Sequence, residues 1–332
     1  MVIEMRPDTQ PTMRDIAKKA NVSLATVSYV LNGKGSVGEK TKQVVLQVAS
    51  ELGYPLTHTN TVPQIAVLYP DSLRTTEDSE IYSAFTQGIQ SATGSGASVT
   101  FAPNNPQNFA FRVREKAGVD GYLMLGVDAD HPIVQRAVKL GVPTVLLNHR
   151  GVPGVSSVCA ANRKGMAELT RHLIHEHGVQ RLLITQPLGA HSYSAERVEG
   201  VRIACRDEGL PDDAVQIVNY QQTVCEVVQS LDPSQWDAIV ADRVTDAVSI
   251  VSELAKQGIS VPDAIRVVGF DDHKAASQAR PSITTARFDP VALGERATTA
   301  LLSLIRGELF EIHLELPVEI VVRASCGCRT DP

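Results

Sequence analysis

With 332 residues the chain exceeds one ordinary domain of ~150 residues, and its 43% hydrophobic and 20% charged composition excludes disordered, collagen-like and coiled-coil chains. No apolar run reaches the ~18 residues that a membrane span needs, and Met1 to Thr12 is polar, with Glu4, Arg6 and Asp8, unlike a signal peptide, so a cytoplasmic location is expected. The net charge of −6 hides an asymmetry: residues 1–60 hold seven Lys/Arg against five acids, and the rest hold 24 against 32, which confines any nucleic-acid contact to the N-terminal end.

Thr12-Met-Arg-Asp15 has the form of a capping box, with the Thr12 hydroxyl accepting from the Asp15 amide and the Asp15 carboxylate from the Thr12 amide. A helix starting there carries Ile16, Ala17 and Ala20 on one apolar side and ends at Asn21-Val22. Ser23 is a good N-cap for a second helix from Leu24 to about Leu31, ended by Asn32-Gly33. After the glycine-rich stretch Gly33 to Gly38, a third helix is expected from about Glu39 to Leu52. It carries Val44, Val45, Val48 and Leu52 on its apolar side, with Gly53 and Pro55 behind it. Two short helices across a tight turn, with a third closing the core, make a helix-turn-helix whose second helix enters the major groove. The outer face of that helix presents Ser23, Leu24, Ala25, Thr26, Ser28 and Tyr29. Its hydroxyls suit phosphates, while Leu24, Ala25 and Tyr29 suit base edges and thymine methyls. Lys40 and Thr41 offer phosphate contacts at the start of the third helix. A three-helix adapter with a neutral surface is the plainer alternative.

Residues 12–33, Thr-Met-Arg-Asp-Ile-Ala-Lys-Lys-Ala-Asn-Val-Ser-Leu-Ala-Thr-Val-Ser-Tyr-Val-Leu-Asn-Gly, closely resemble the headpiece of the LacI/GalR (lactose/galactose repressor) family of transcriptional regulators. The resemblance implies backbone-positioning roles for Thr12, Ser23, Thr26, Ser28 and Asn32. It implies base reading by Leu24, Ala25 and Tyr29, the last at a position where many members carry arginine. Gly33-x-Gly35-x-x-Gly38 also fits a dinucleotide fingerprint, and Gly38-Glu-Lys40-Thr41 comes close to a P-loop. Both chemistries need a strand before the glycines. Here a helix precedes them and Glu39 would repel a phosphate, so turn glycines are the expected reading and no cofactor is expected.

Ten residues, Pro55 to Gln64, join this piece to the first expected strand. Prolines near both ends and Thr57, Thr59, Thr61 and Val62 between them disfavour a helix. The family usually has an Ala-Arg-x-Leu segment here that becomes helical on DNA and drives a leucine into the minor groove. This chain lacks it, and weaker operator bending is expected.

From Ile65 onward, short apolar runs alternate with amphipathic segments. Strands are expected at Ile65–Tyr69, Ser98–Phe101, Tyr122–Leu125, Thr144–Leu147, Leu182–Thr185, Val215–Val218, Ala238–Val240 and Arg266–Phe270. Helices are expected near Ile81–Thr93, Ile133–Leu140, Met166–Glu176, Ala195–Glu208, Ala247–Gln257 and Val291–Ile305. Such alternation implies parallel sheets covered on both faces, and two doubly wound lobes suit the length better than one sheet or a barrel. Val119-Asp-Gly-Tyr-Leu, Leu140-Gly-Val-Pro-Thr-Val, Ala195-Glu-Arg-Val-Glu-Gly200, Val267-Val-Gly-Phe-Asp-Asp272, Pro281-Ser-Ile-Thr-Thr285, Leu316-Pro317 and Arg323-Ala-Ser325 resemble successive landmarks of the same family's core, itself similar to periplasmic sugar-binding proteins. The fold expected is a small all-α helix-turn-helix headpiece plus an α/β core of two doubly wound parallel-sheet lobes. The headpiece would span 1–54 and the linker 55–64, without the usual hinge helix. The lobes would be 65–160 plus 290–320 and 161–289 plus 321–332, with crossings near 160, 289 and 320.

A ligand in such a fold sits in the cleft at the carboxyl ends of the strands. Asp271 ends an expected strand and can accept from two neighbouring hydroxyls, and Arg197 offers a guanidinium fork near a helix start. The resemblance implies effector contacts at both and a stacking aromatic at Tyr220. Asp71, just past the first strand, is a candidate by position. Ala161 and Ala241-Asp242 stand where many members have Asp and Asn-Asp, which keeps Asp242 but drops polar contacts used for sugars; the effector is expected to be a sugar or another small metabolite. In the plainer alternatives Asp271 caps a turn with Asp272 and Arg197 is a solvated helix residue.

No catalytic constellation emerges, and an enzyme is not expected. The five cysteines are scattered and form no CxxC pair. Cys326-Gly-Cys328 reads as an untethered thiol pair, and His172, His175 and His177 as an ordinary helix end, so no metal site is expected. The expected protein is a homodimeric regulator reading a pseudo-palindromic operator, its half-sites about one helical turn apart, with a small effector altering DNA affinity. Repression is the usual sign in the family, and only Arg-Thr-Asp-Pro follows Cys328, without a heptad tail for tetramers. A solute-binding protein would explain residues 65–332 but not the headpiece. A nucleotide-dependent α/β enzyme fails on the missing strand.

Overall fold

Asp15 Oδ2 accepts from the Thr12 amide at 2.8 Å, and the Asp15 amide donates to Thr12 Oγ1 at 3.4 Å. This capping box starts α1 (Met13–Ala20) in the computed structural model, which describes residues 11–31, 37–52, 54, 62–70, 79–104 and 119–328. The chain divides into two compact units, Met1–Val62 and Pro63–Pro332. Asn32, Asp71, the glycine loop up to Ser36 and linker residues 55–61 lie outside the described residues.

In the first unit, Asn21 takes a left-handed φ of 53° that ends α1. Ser23 Oγ then accepts from the Thr26 amide at 3.0 Å and starts α2 (Leu24–Leu31). With α3 (Glu39–Glu51) these helices bury Ile16, Val27, Val30, Leu31, Val45, Val48 and Ala49 together. Val44 departs from the expected apolar side and is 42% exposed. At 100° per residue, the inward stripe runs through 45, 48, 49 and 52 and leaves 44 beside it.

The second unit holds two six-stranded sheets. The first contains β1 (Gln64–Tyr69), β2 (Ser98–Pro103), β3 (Gly121–Leu125), β4 (Thr144–Leu147), β5 (Ser156–Ala160) and β11 (His313–Leu316), in the order β11-β5-β4-β3-β1-β2 and parallel throughout. The second contains β6 (Leu182–Pro187), β7 (Val215–Tyr220), β8 (Ala238–Ala241), β9 (Arg266–Phe270), β10 (Thr284–Arg287) and β12 (Glu319–Val321), in the order β12-β10-β9-β8-β6-β7. Its strands are parallel except β12, which runs antiparallel to β10 at the edge. Central strands β3, β4, β5 and β8 are buried at every position, as sheets covered on both faces require.

Alternation did not reveal β5, β10, β11 and β12. Ser-Ser-Val-Cys-Ala and Thr-Thr-Ala-Arg lack an apolar run, and β11 and β12 are short edge strands. The first sheet is packed by α4 (Ser79–Thr93) and α11 (Pro290–Ile305), and α5 (Pro132–Lys139) follows β3. On the second, α6 (Asn162–His177) packs against α7 (Ser192–Asp207), and α9 (Val244–Lys256) lies with the short α8 (Cys225–Gln229) and α10 (Lys274–Gln278). Glycines let these helices touch backbone to backbone. A Cβ on Gly88 would lie 2.0 Å from Val291 O, and one on Gly200 2.3 Å from Arg163 O.

The chain passes between sheets after Ala160, after Arg287 and between Leu316 and Glu319. Both sheets repeat one plan, β2-β1-β3-β4-β5 and β7-β6-β8-β9-β10. Strand order therefore reverses beside β1 and beside β6, and each reversal opens a crevice at the carboxyl ends of the strands. Among the described residues, no helix is long and apolar enough to cross a membrane.

Candidate functional site

Two surfaces collect the residues singled out by the sequence. On the first unit, Ser23 just before α2 and Leu24, Ala25 and Tyr29 on it face outward; Leu24 is 45% and Tyr29 52% exposed. Thr12, Leu24, Ala25 and Ser28 line one concave surface together with Arg14 and Tyr54. Sequence reasoning missed Arg14 and Tyr54; Arg14 supplies a cation to a face otherwise made of hydroxyl and apolar groups. Thr26 is half-buried, its hydroxyl 2.8 Å from Ser23 Oγ. Lys40 is exposed at the start of α3, and the neighbouring Thr41 amide donates to Gly38 O at 2.9 Å. Asn32 lies outside the described residues.

The second surface is a cleft of about 650 Å³ built from strand ends of both lobes. Pro70 follows β1, Gly126 β3, Asn148 and His149 β4, Leu188 to His191 β6, Arg243 β8, and Asp271 β9, and all line it. Arg197, in the second turn of α7, is the fixed point. It is 2% exposed, with its guanidinium carbon 3.8 Å from the centroid of the Phe270 ring and 4.8 Å from that of Tyr193. Arg197 Nε donates to Asn162 Oδ1 at 3.1 Å, Nη1 to the Asp242 carbonyl at 2.5 Å and Nη2 to Asp271 Oδ1 at 3.4 Å. A buried fork held on three sides presents its remaining edge in one orientation. Asp271 and Asn148 both adopt left-handed backbone, with φ of 72° and 59°, strain that such sites commonly hold. Asp242 is buried behind Arg197 and accepts from Ser194 Oγ at 2.7 Å.

His149 Nδ1 lies 3.3 Å from the Leu147 carbonyl, which assigns the proton to Nδ1 and leaves Nε2 an acceptor. Burial first, then the adjacent His191, pushes the His149 pKa down to about 4, so the ring is neutral at neutral pH. Nε2 of His149 and Oδ1 of Asn148 are buried with no hydrogen-bond partner among the described residues. The walls add Tyr82, Phe85 and Tyr193. Sequence reasoning missed Asn148, His149, His191, Tyr193 and Arg243. His191 and Tyr193 stand in the segment between β6 and Arg197, which was the available signal.

The lobes are joined around this cleft. Asp128, after β3, lies 3.1 Å from His191 Nδ1 and accepts from the Ser192 amide at 3.1 Å and from the Ser192 hydroxyl. Burial raises the Asp128 pKa, but the hydrogen bonds from His191 and Ser192 outweigh it and hold the carboxyl well below the usual carboxylate range. Arg150 pairs with Glu196, and Glu80 Oε2 accepts from the Lys274 amide at 3.2 Å.

Tyr220 sits apart from the cleft lining. It is buried in the core of the second lobe, donating to Asp246 Oδ2 at 2.6 Å and accepting from Arg243 Nη2 at 3.1 Å, so it reaches the cleft only through Arg243. Asp272 points away from Asp271 and is gripped by Arg323 at 2.7 and 2.9 Å. Asp71 lies outside the described residues.

The histidine and cysteine motifs differ from their separate readings. His175 Nε2 pairs with Glu208 at 2.8 Å, whereas His172 and His177 converge on Cys326 and Cys328. The thiol pair is therefore tethered.

A two-lobed α/β core with its cleft at opposed strand ends, preceded by a helix-turn-helix, defines a class of ligand-responsive DNA-binding protein. Residues 12–55 match the model of the bacterial regulatory proteins of the lacI family, and residues 170–326 that of a periplasmic binding protein-like domain. The chain thus carries a lacI-family helix-turn-helix domain and a periplasmic-binding-like domain, and its relatives are lacI-family regulators. It is similar to the HTH-type transcriptional regulator CelR of Thermobifida fusca, 28% identical over 95% of this chain and 98% of the relative. It is also similar to the ribose operon repressor of Halalkalibacterium halodurans, 25% identical over 95% and 96%. The solved structure of a transcriptional regulator CelR–cellobiose complex superposes with a TM-score of 0.70 at 25% identity, covering 95% of this chain and 99% of that one. A lac repressor dimer bound to operator and the anti-inducer ONPF, 22% identical with a TM-score of 0.66 over 96% and 99%, shares the fold.

Proposed function

We propose that this regulator represses transcription from a pseudo-palindromic operator and that a hydroxyl-rich small molecule in the cleft, a sugar or a related metabolite, changes its hold on DNA. Leu24, Ala25 and Tyr29 read base edges. Thr12, Ser23, Thr26, Ser28, Asn32, Lys40 and Thr41 set the register on phosphates. Arg197 and Asp271 bind neighbouring hydroxyls, with Asp242 holding Arg197 from behind, and Asp71 is a further effector contact.

The observation that carries the effector reading is the pair of buried acceptors on the cleft wall, Asn148 Oδ1 and neutral His149 Nε2, beside the Arg197–Asp271 pair. Acceptors buried there favour a ligand rich in donors, and Tyr82 and Tyr193 supply aromatic faces for an apolar ring face. The similar CelR is solved as a cellobiose complex and another relative is a ribose operon repressor, which favours a sugar. The protein acts in the cytoplasm as a homodimer, without catalysis or a cofactor. The headpiece spans 1–54 and the linker 55–64, which bends DNA less than a hinge helix does. The lobes comprise 65–160 plus 290–316 and 161–289 plus 319–332, with the last crossing between β11 and β12.

Selection of a random duplex library on the full-length protein tests the reading. A palindrome enriched by wild type, lost with Thr26→Ala and Tyr29→Ala and weakened steeply by salt, is expected. No enrichment, with or without a panel of sugars, would overturn it.

A further inference from the structure

Two motifs far apart in the chain meet on the second lobe, outside the cleft. His172 lies in the last turns of α6 and His177 is its final residue; Cys326 and Cys328 come after β12, through a short 3-10 turn at Ala324–Cys326. One ligand atom from each of the four lies within 4.8 Å of all the others. Cys328 Sγ is 3.6 Å from His172 Nε2 and 3.3 Å from His177 Nε2, and the two imidazole rings stand at 79° with centroids 5.4 Å apart. A zinc ion bonded tetrahedrally at ~2.3 Å to sulfur and ~2.05 Å to nitrogen holds those ligands about 3.5 Å from each other. The two sulfur–nitrogen distances bracket that value.

The backbone is shaped for this convergence. Gly178 ends α6 with a φ of 63°, directly after His177. Gly327 has a φ of 103°, and a Cβ there would lie 3.4 Å from His177 Nδ1, so a glycine lets Cys326 and Cys328 approach the same imidazole. Cys326 is buried while the other three are half-buried, which shields the cluster yet leaves an entry path. Thr284 Oγ1 lies 3.1 Å from Cys326 Sγ and donates to it, an outer-shell contact that supports a thiolate.

We propose that His172, His177, Cys326 and Cys328 bind one divalent ion of the zinc class in a closed tetrahedral site. The ion takes an imidazole nitrogen from each histidine and a sulfur from each cysteine, and the two thiol protons leave to solvent. The two thiolates balance the ion's charge, and sulfur with imidazole selects zinc-like ions over magnesium or calcium. Four protein ligands leave no open position, so the role is structural. The ion ties the segment after the third inter-lobe crossing to the helix after the first. This inference does not depend on the effector or the operator.

The test uses full-length protein kept reduced, stripped with a chelator and titrated with Co²⁺ alone. Expected are one Co²⁺ per chain, the intense visible bands of four-coordinate cobalt with a sulfur-to-cobalt charge-transfer band, and loss of both on adding one equivalent of Zn²⁺. Cys328→Ser and His177→Gln should each weaken Co²⁺ binding by more than about 100-fold, beyond the loss typical of an outer-shell partner. Cys225→Ser, on α8 and outside the cluster, should leave it unchanged. Only the faint spectrum of six-coordinate cobalt in wild type would overturn the site, and so would full bands in the Cys326→Ser/Cys328→Ser double variant. If the variants fail to fold, the wild-type titration decides alone.

Discussion

The helix face of the first unit and the cleft of the second are built in opposite ways. On the first unit, the described candidates come from residues 12 to 41, aimed outward by helical period from helices whose cores lie behind them. In the cleft, side chains from Pro70 to Asp271 meet at the ends of six strands, and Arg197 is both the proposed contact group and the structural pivot. Substitutions on the face should therefore change DNA binding and little else, while those in the cleft should change stability as well.

Arg197→Ala draws the sharpest contrast. It leaves Asp242 and Asp271 buried without their cation, and a loss of about 3–5 kcal/mol in unfolding free energy is expected in urea. A loss under about 1 kcal/mol, the worth of a surface pair, would remove Arg197 as pivot.

Acid should act next, and through the cleft. His149 has its pKa pushed down to about 4, mainly by burial, whereas in the unfolded chain it titrates near ~6.5. Between those values the unfolded state binds more protons, so stability falls as pH falls, by about 3 kcal/mol at most. Asp128 has the same sign lower down: its lowered pKa gives stability that is present above the ordinary Asp value and lost as pH drops through the folded one. His149→Asn should flatten the melting-temperature profile between about pH 6.5 and 4 and keep the loss below it. An unchanged slope would place the sensitivity elsewhere.

Gly200→Ala follows, because its methyl meets Arg163 O and must part α6 from α7. A cost of about 1–3 kcal/mol is expected by chemical denaturation, and a neutral result would mean the helices separate freely. Smallest in stability is Tyr29→Ala, within about 0.5 kcal/mol, yet operator affinity should fall by about 1–3 kcal/mol. The reverse pattern would show Tyr29 to be a packing residue.

This contrast also sets how far the sequence could be read. The capping box, Ser23 and the apolar stripe of α1 and α2 are local, and they form as spelled. Eight strands announce themselves as apolar runs and match the observed ones within two residues at either end. The small, hydroxylated β5 and β10 carry no such signal. Arg197 and Asp271 were visible through a resemblance, but Asn148 and His149 gain their meaning from burial and from facing the other lobe. Cys326-Gly-Cys328 and His172…His177 look idle apart, since only the fold brings them together.

The most direct test measures coupling between the two surfaces. Affinity of the full-length protein for its selected operator should be titrated against a sugar panel, for wild type and Arg197→Lys. The expected result is a sugar that shifts wild-type operator affinity at least ~5-fold and leaves Arg197→Lys, still bound to DNA, unmoved. An equal shift in both proteins would contradict the placing of the effector at Arg197, and no shift with any sugar would contradict a hydroxyl-rich effector.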